Sequence, residues 1–287
     1  MKGIYKDTNM AIKILQLAGI AFFCLFTGAA VGILLTKNID SELLSLRILQ
    51  FIQSVSTFLI PPFLLAYLWS TRPFEFLHLK QRISLPAALF IIIFMIIAIP
   101  FINLLADLNS QITLPSFLSG FEESMMAMEE QAAIQTEKLL SASTIGGLLF
   151  NIFLVAIIPA AGEEIFFRGT IQSLLQSNGN KIMAIWITAF IFSAIHFQFY
   201  GFIPRMLIGG FFGYLLIWSG SIWLPILAHF TNNAFAVVSH FLIQNHYITP
   251  EIDTIGSGST WWLGCICGLV CLISIIPLKK RLSSRRH

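Results

Sequence analysis

Apolar runs long enough to cross a bilayer recur along the whole chain, and they decide what it can fold into. Eight stand out, at about residues 11–35, 48–69, 84–106, 144–176, 181–199, 203–219, 221–244 and 260–278. A membrane span takes about 20 mainly apolar residues. Only 11% of the 287 residues are charged, against about 25% in soluble domains, so nothing competes with this reading. The expected fold is all-α, a polytopic membrane helical bundle of about eight transmembrane helices. The first run follows Lys2, Lys6 and Lys13 and exceeds a signal-peptide core, so it is expected to be retained.

The loops orient the bundle. With eight spans and both termini inside, the inner segments carry Lys2, Lys6, Lys13, Arg72, Lys80, Arg82, Arg168, Lys181 and the tail Lys279, Lys280, Arg281, Arg285 and Arg286. The outer segments carry Lys37, Arg47, Lys138 and Arg205. That positive-inside bias predicts cytoplasmic termini in a cell inner or plasma membrane. The net charge of +3 and the absence of a basic cluster outside the tail give no reason to expect a nucleic-acid partner. The expected partner on these grounds is the lipid bilayer. Three regions follow: 1–143, N-terminal spans plus a connecting segment; 144–246, the core spans that carry the motifs below; and 247–287, the last span and basic tail.

Residues 107–143 differ from the rest. Glu122, Glu123, Glu129, Glu130 and Glu137 alternate with Met125, Met126 and Met128, which fits an amphipathic helix on the outer surface. It reads first as a solvated connector and second as a lid over the bundle mouth. Gly209, Gly210 and Gly213 in the sixth span read as sites of close helix packing. Cys24, Cys265, Cys267 and Cys271 all lie in apolar runs and read as packing residues. His78, His240, His246 and His287 are given no role.

The chemistry sits in the second half. Glu163 and Glu164 adjoin inside an apolar stretch, where an ionised side chain costs roughly 3 kcal/mol or more and usually marks a site. Arg168 lies four residues after Glu164 and shares its helical face, so it can hold that carboxylate ionised. Glu163 points about 100° away and is free for another task. His196 follows in the fifth span, within Phe192-Ser193-Ala194-Ile195-His196, and His229 in the seventh, one turn before Asn233. Carboxylate plus imidazole is the ligand set of a hydrolytic zinc site, and equally the equipment of a base that activates water. An amide such as that of Asn233 can donate to a developing oxyanion. Asn151 reads as an interhelical hydrogen bond. There is no H-E-x-x-H and no G-x-S-x-G, and Ser193 near His196 has no Asp nearby in sequence for a triad.

Glu-Glu-x-x-x-Arg, then Phe-x-x-x-His, then His-x-x-x-Asn, on successive spans, resembles the CPBP family of intramembrane proteases, the Abi or CAAX-type group. The likeness covers about residues 144–240. It implies a CAAX-type membrane metalloendopeptidase, with a membrane-associated peptide or protein substrate as its partner, in which Glu163 activates the attacking water and Arg168 fixes Glu164, which assists or orients. By the same resemblance His196 and His229 bind a metal ion or the water, and Asn233 stabilises the oxyanion. A divalent metal, Zn2+, would then be held by His196, His229 and Glu163.

One tension remains within this scheme. At 1.5 Å per residue His196 would lie roughly 24 Å from the inner end of its span and His229 roughly 12 Å from the inner end of its own. The two alternatives from other classes are a non-catalytic immunity or scaffold protein and a proton-coupled transporter. The chain shows no second copy of the Glu-Glu-x-x-x-Arg motif and none of the internal symmetry a transporter would favour.

Overall fold

The computed structural model describes residues 2–177 and 179–283, so Arg285, Arg286 and His287 of the basic tail lie outside the described residues. The helices are α1 (Met10–Thr36), α2 (Glu42–Trp69), α3 (Leu85–Ser110), α4 (Ser119–Leu140), α5 (Ile145–Gln176), α6 (Lys181–Ala194), α7 (Phe202–Ser219), α8 (Trp223–Gln244) and α9 (Trp261–Ser283). Among the described residues there is no β-strand. Among the described residues seven helices are long and apolar enough to cross a membrane: α1, α2, α3, α5, α7, α8 and the Gly258–Ser283 segment that contains α9. The fold is that of a multi-pass membrane protein.

Polar caps set the helix starts. Asn9, Ser41, Thr144 and Asn180 each accept a hydrogen bond from the backbone N–H three residues on, opening α1, α2, α5 and α6. Gly220 ends α7 in the left-handed conformation (φ 71°), its N–H donating to Leu216 O, and the chain turns straight into α8. The lipid-facing side is apolar throughout, as at Leu15, Phe23 and Leu34 of α1, which are about 70% exposed.

The fifth span departs from expectation. The run 181–199 is largely apolar, but α6 stops at Ala194 after 14 residues, about 21 Å of helix, short of a full crossing. A non-helical loop, residues 195–201, then leads into α7, which packs back along α6. Local apolarity cannot reveal this stop, because the cause lies elsewhere in the fold. Asn109, buried at the end of α3, donates to Phe199 O and accepts from Ile203 N, and Ser193 Oγ donates to Phe202 O. These bonds satisfy loop backbone groups that the bilayer interior would otherwise leave unpaired.

At the centre, α5 runs 32 residues with two wider π-helical stretches, Ile152–Ile157 and Ile165–Gln172. The Glu163-Glu164 pair closes the α-helical segment of about two turns between them, Ile158–Glu164. Such π segments often occur at functional sites. Phe166 and Phe167 of α5 meet Phe192 of α6 and Phe58 of α2, and a second cluster joins α3, α7, α8 and α9 around Ile91, Phe212 and Leu215. The glycines of α7 provide close approach: a Cβ on Gly210 would lie 3.1 Å from the Trp186 ring, and one on Gly213 2.6 Å from Gln172 Oε1.

Helix α4 carries its glutamates as expected, with Phe117, Phe121 and Met128 exposed beside it. Two contacts pin it: Lys138 Nζ bonds Glu42 Oε1 at 2.7 Å, and Glu129 Oε2 accepts from Tyr200 N at 3.2 Å. The second contact ties α4 to the loop that carries His196. Asn151 has the interhelical role expected of it, donating to Leu140 O and accepting from Arg47. The four cysteines are free thiols.

Candidate active site

The buried half of the site is an ion pair held by aromatic rings. Arg168 Nη1 donates to Glu164 Oε1 at 2.7 Å, and both side chains are fully buried. The i, i+4 spacing on α5 predicts this contact, and the structure realises it. Arg168 Nη2 donates to Gly209 O at 2.9 Å. The guanidinium lies 4.5 Å from the centre of the Phe192 ring and 5.4 Å from that of Phe212. Taking two charges out of water is costly, and the attraction between them, the extra bond and the two ring faces offset that cost. Gly209 permits the arrangement, since a Cβ there would come within 3.0 Å of Arg168 Nη2.

Glu164 also receives a bond from a second helix. His229 Nδ1 donates to the same Oε1 at 2.9 Å. An ionised carboxylate only accepts, so Nδ1 carries a proton, and in the neutral ring Nε2 then keeps its lone pair. Nε2 lies 3.9 Å from Glu163 Oε2. Phe212 stacks on the His229 ring with centroids 5.5 Å apart, and Phe192 meets it edge-on at 6.0 Å.

His196 is set by its own helix end. Its Nδ1 donates to Phe192 O at 2.7 Å, which again leaves Nε2 as the acceptor. The early end of α6 also removes the mismatch in depth: His196 belongs to the loop that closes the helix. One cavity of about 270 Å3 is lined by Glu163, His196, His229, Asn232, Asn233 and Arg205, with Phe192, Phe212 and Ile208 among its apolar walls. Asn233 is held by two long contacts, Nδ2 donating to Val155 O and Oδ1 accepting from Asn232 Nδ2, each at 3.4 Å.

Of the six residues expected from sequence, Glu163, His196, His229 and Asn233 share this cavity. Glu164 and Arg168 stand behind it, dry, and reach it through His229. One charged cavity residue escaped the sequence reading. Arg205 was assigned to an outer segment, yet it lies one turn inside α7 and lines the cavity. The signal was available: a lone cation at the edge of an apolar run. Arg168, expected beside Glu164 but also counted with the inner-segment charges, is buried in the bundle interior. Ser193 is not a nucleophile candidate, because its hydroxyl is committed to Phe202 O.

The donor types suit a divalent metal, but their spacing does not close around one. Two ligands at zinc distances of about 2.0–2.1 Å lie roughly 3.3 Å apart in tetrahedral geometry. The Glu163–His229 separation is 3.9 Å, and among the described residues no group of three His, Cys, Asp or Glu is gathered closely enough to hold an ion.

Fold and site together describe a multi-pass helical bundle with a carboxylate, two imidazoles and an amide facing an internal cavity. Residues 145–235, which contain all six expected positions, match the model of the family described as type II CAAX prenyl endopeptidase Rce1-like. That match falls on the segment whose motifs resemble the CPBP family. The uncharacterized protein YpbD of Bacillus subtilis (strain 168) is 28% identical over 102 residues, covering 34% of this chain and 48% of YpbD. The chain thus matches about half the length of that relative. No solved structure matches it.

Proposed function

We propose that this protein is an intramembrane endopeptidase that hydrolyses a peptide bond of a membrane-associated, CAAX-type or related substrate. The observation that supports it most is the division of labour between adjacent glutamates: Arg168 and His229 both bond Glu164 Oε1 in the bundle interior, while Glu163 faces the cavity and, among the described residues, forms no hydrogen bond.

In the proposed mechanism Glu163 takes one proton from a water whose other O–H donates to an imidazole Nε2 lone pair, that of His229 or of His196. The hydroxide adds to the peptide carbonyl carbon. The carbonyl oxygen becomes an oxyanion and accepts from Asn233 Nδ2. The C–N bond then breaks as Glu163 returns its proton to the leaving amine. Glu164 and Arg168 never touch substrate; they hold the Nδ1–H tautomer of His229, so that Nε2 stays an acceptor.

The direct test is cleavage of a cell-derived peptide library, and of membrane-tethered peptides, by purified protein in liposomes. New termini that appear with wild type and not with Glu163→Gln support the reading. A membrane phenotype that persists without Glu163 and His229, with no cleavage by wild type, would favour a non-catalytic partner role instead.

A further inference from the structure

The cavity holds one charged group that the proposed mechanism does not use. Arg205 lines it together with Glu163, His196 and His229. Arg168 is spent on Glu164, but among the described residues Arg205 makes no ion pair within 4 Å. Its hydrogen bond goes to a neutral acceptor, Gln198 Oε1, at 2.6 Å. Its Nη1 is buried and unbonded. Glu129 of α4 and Glu163 act on it only through space, and Glu129 is itself engaged by Tyr200 N. Gly201 makes the room: a Cβ there would lie 2.9 Å from Arg205 Nη2. A guanidinium held in place by a neutral amide, with donors left over, matches a carboxylate, which it can bind with two parallel bonds.

We propose that Arg205 binds a carboxylate of the peptide substrate close to the bond that Glu163 attacks. A cavity of about 270 Å3 is on the order of 8 Å across, room for about two extended residues at roughly 3.4 Å each. The carboxylate therefore lies within about two residues of the scissile bond, either as the free C-terminus or as an Asp or Glu side chain. Substrates carrying it are selected, and neutral peptides are poor ones. This assignment rests on the peptidase reading.

The test uses a cell-derived peptide library in two forms, native and with every carboxyl group amidated. Wild type should cleave the native form at least tenfold faster, and Arg205→Gln should cleave both forms at the same low rate. Cleavage sites clustered at peptide ends would assign the C-terminal carboxylate, and sites beside internal Asp or Glu the side-chain one. Equal cleavage of both forms by wild type, or a preference kept in Arg205→Gln, overturns the assignment. Capture of the same two libraries on Glu163→Gln protein separates this from failure of the peptidase reading. Retention of free-acid peptides that is lost in Glu163→Gln/Arg205→Gln supports the site even if wild type cleaves nothing, and equal retention of both forms refutes it.

Discussion

His229 bonds Glu164 across two helices, Nδ1 to Oε1 at 2.9 Å, although 65 residues separate them in sequence. That one contact links the dry ion pair of α5 to the wet face of α8. It fixes which imidazole nitrogen carries the proton, and so which one is presented to the cavity and to Glu163.

The Glu164–Arg168 pair should dominate stability. Arg168→Met leaves a buried carboxylate without its cation, a loss of about 3–5 kcal/mol. Glu164→Gln alone leaves the guanidinium buried and uncompensated, with a similar loss. The double variant should be more stable than the sum of the two losses implies, because the residues are coupled. Thermal unfolding of the four proteins in detergent completes the cycle; strict additivity would show that the pair is not coupled.

Asn233 should matter for rate and little for stability. Its contact to Val155 O is 3.4 Å, too long to hold the fold. Asn233→Ala should lower kcat by about 10²–10³, the usual cost of one oxyanion donor, with the unfolding temperature nearly unchanged. A rise in KM at constant kcat would assign it to substrate binding instead.

Gly209 and Gly19 provide a matched comparison. A Cβ at Gly209 meets Arg168 at 3.0 Å and Phe192 at 3.2 Å, whereas one at Gly19 meets nothing within 4 Å. Gly209→Ala should cost about 1–3 kcal/mol and most of the activity. Gly19→Ala should be neutral or slightly stabilising, since Gly weakens helix interiors by about 0.5–1 kcal/mol. Equal effects at both positions would contradict the packing described.

Metal analysis separates two ways of supplying hydroxide. The 3.9 Å between Glu163 and His229, with no third ligand drawn in, predicts cleavage that persists after chelation and well under one ion per purified chain. About one zinc per chain, lost in His196→Ala/His229→Ala, would show that the two imidazoles and Glu163 do close around an ion.

Much of this was legible in the sequence, for physical reasons. A bilayer demands long apolar runs, so helices α1 to α3, α5 and α7 to α9 fall close to the runs that announce them. Glu164 and Arg168 meet because i, i+4 spacing is a local rule. The early end of α6 was hidden, because residues 195–199 remain largely apolar and the loop is held by Asn109, more than 80 residues away. The same hidden stop made the depths of His196 and His229 look incompatible. Arg205 was read as a loop charge because hydropathy places it at the edge of a run, while only packing shows which way that edge faces.

The central claim is that Glu163, and not Glu164, handles the proton. The decisive measurement is the single-turnover cleavage rate of Glu163→Gln beside its unfolding temperature. The structure predicts loss of about 10²–10⁴ or more in rate with the unfolding temperature kept within a few degrees, since Glu163 forms no hydrogen bond that the fold depends on. Cleavage at the wild-type rate by a folded Glu163→Gln protein would contradict the account.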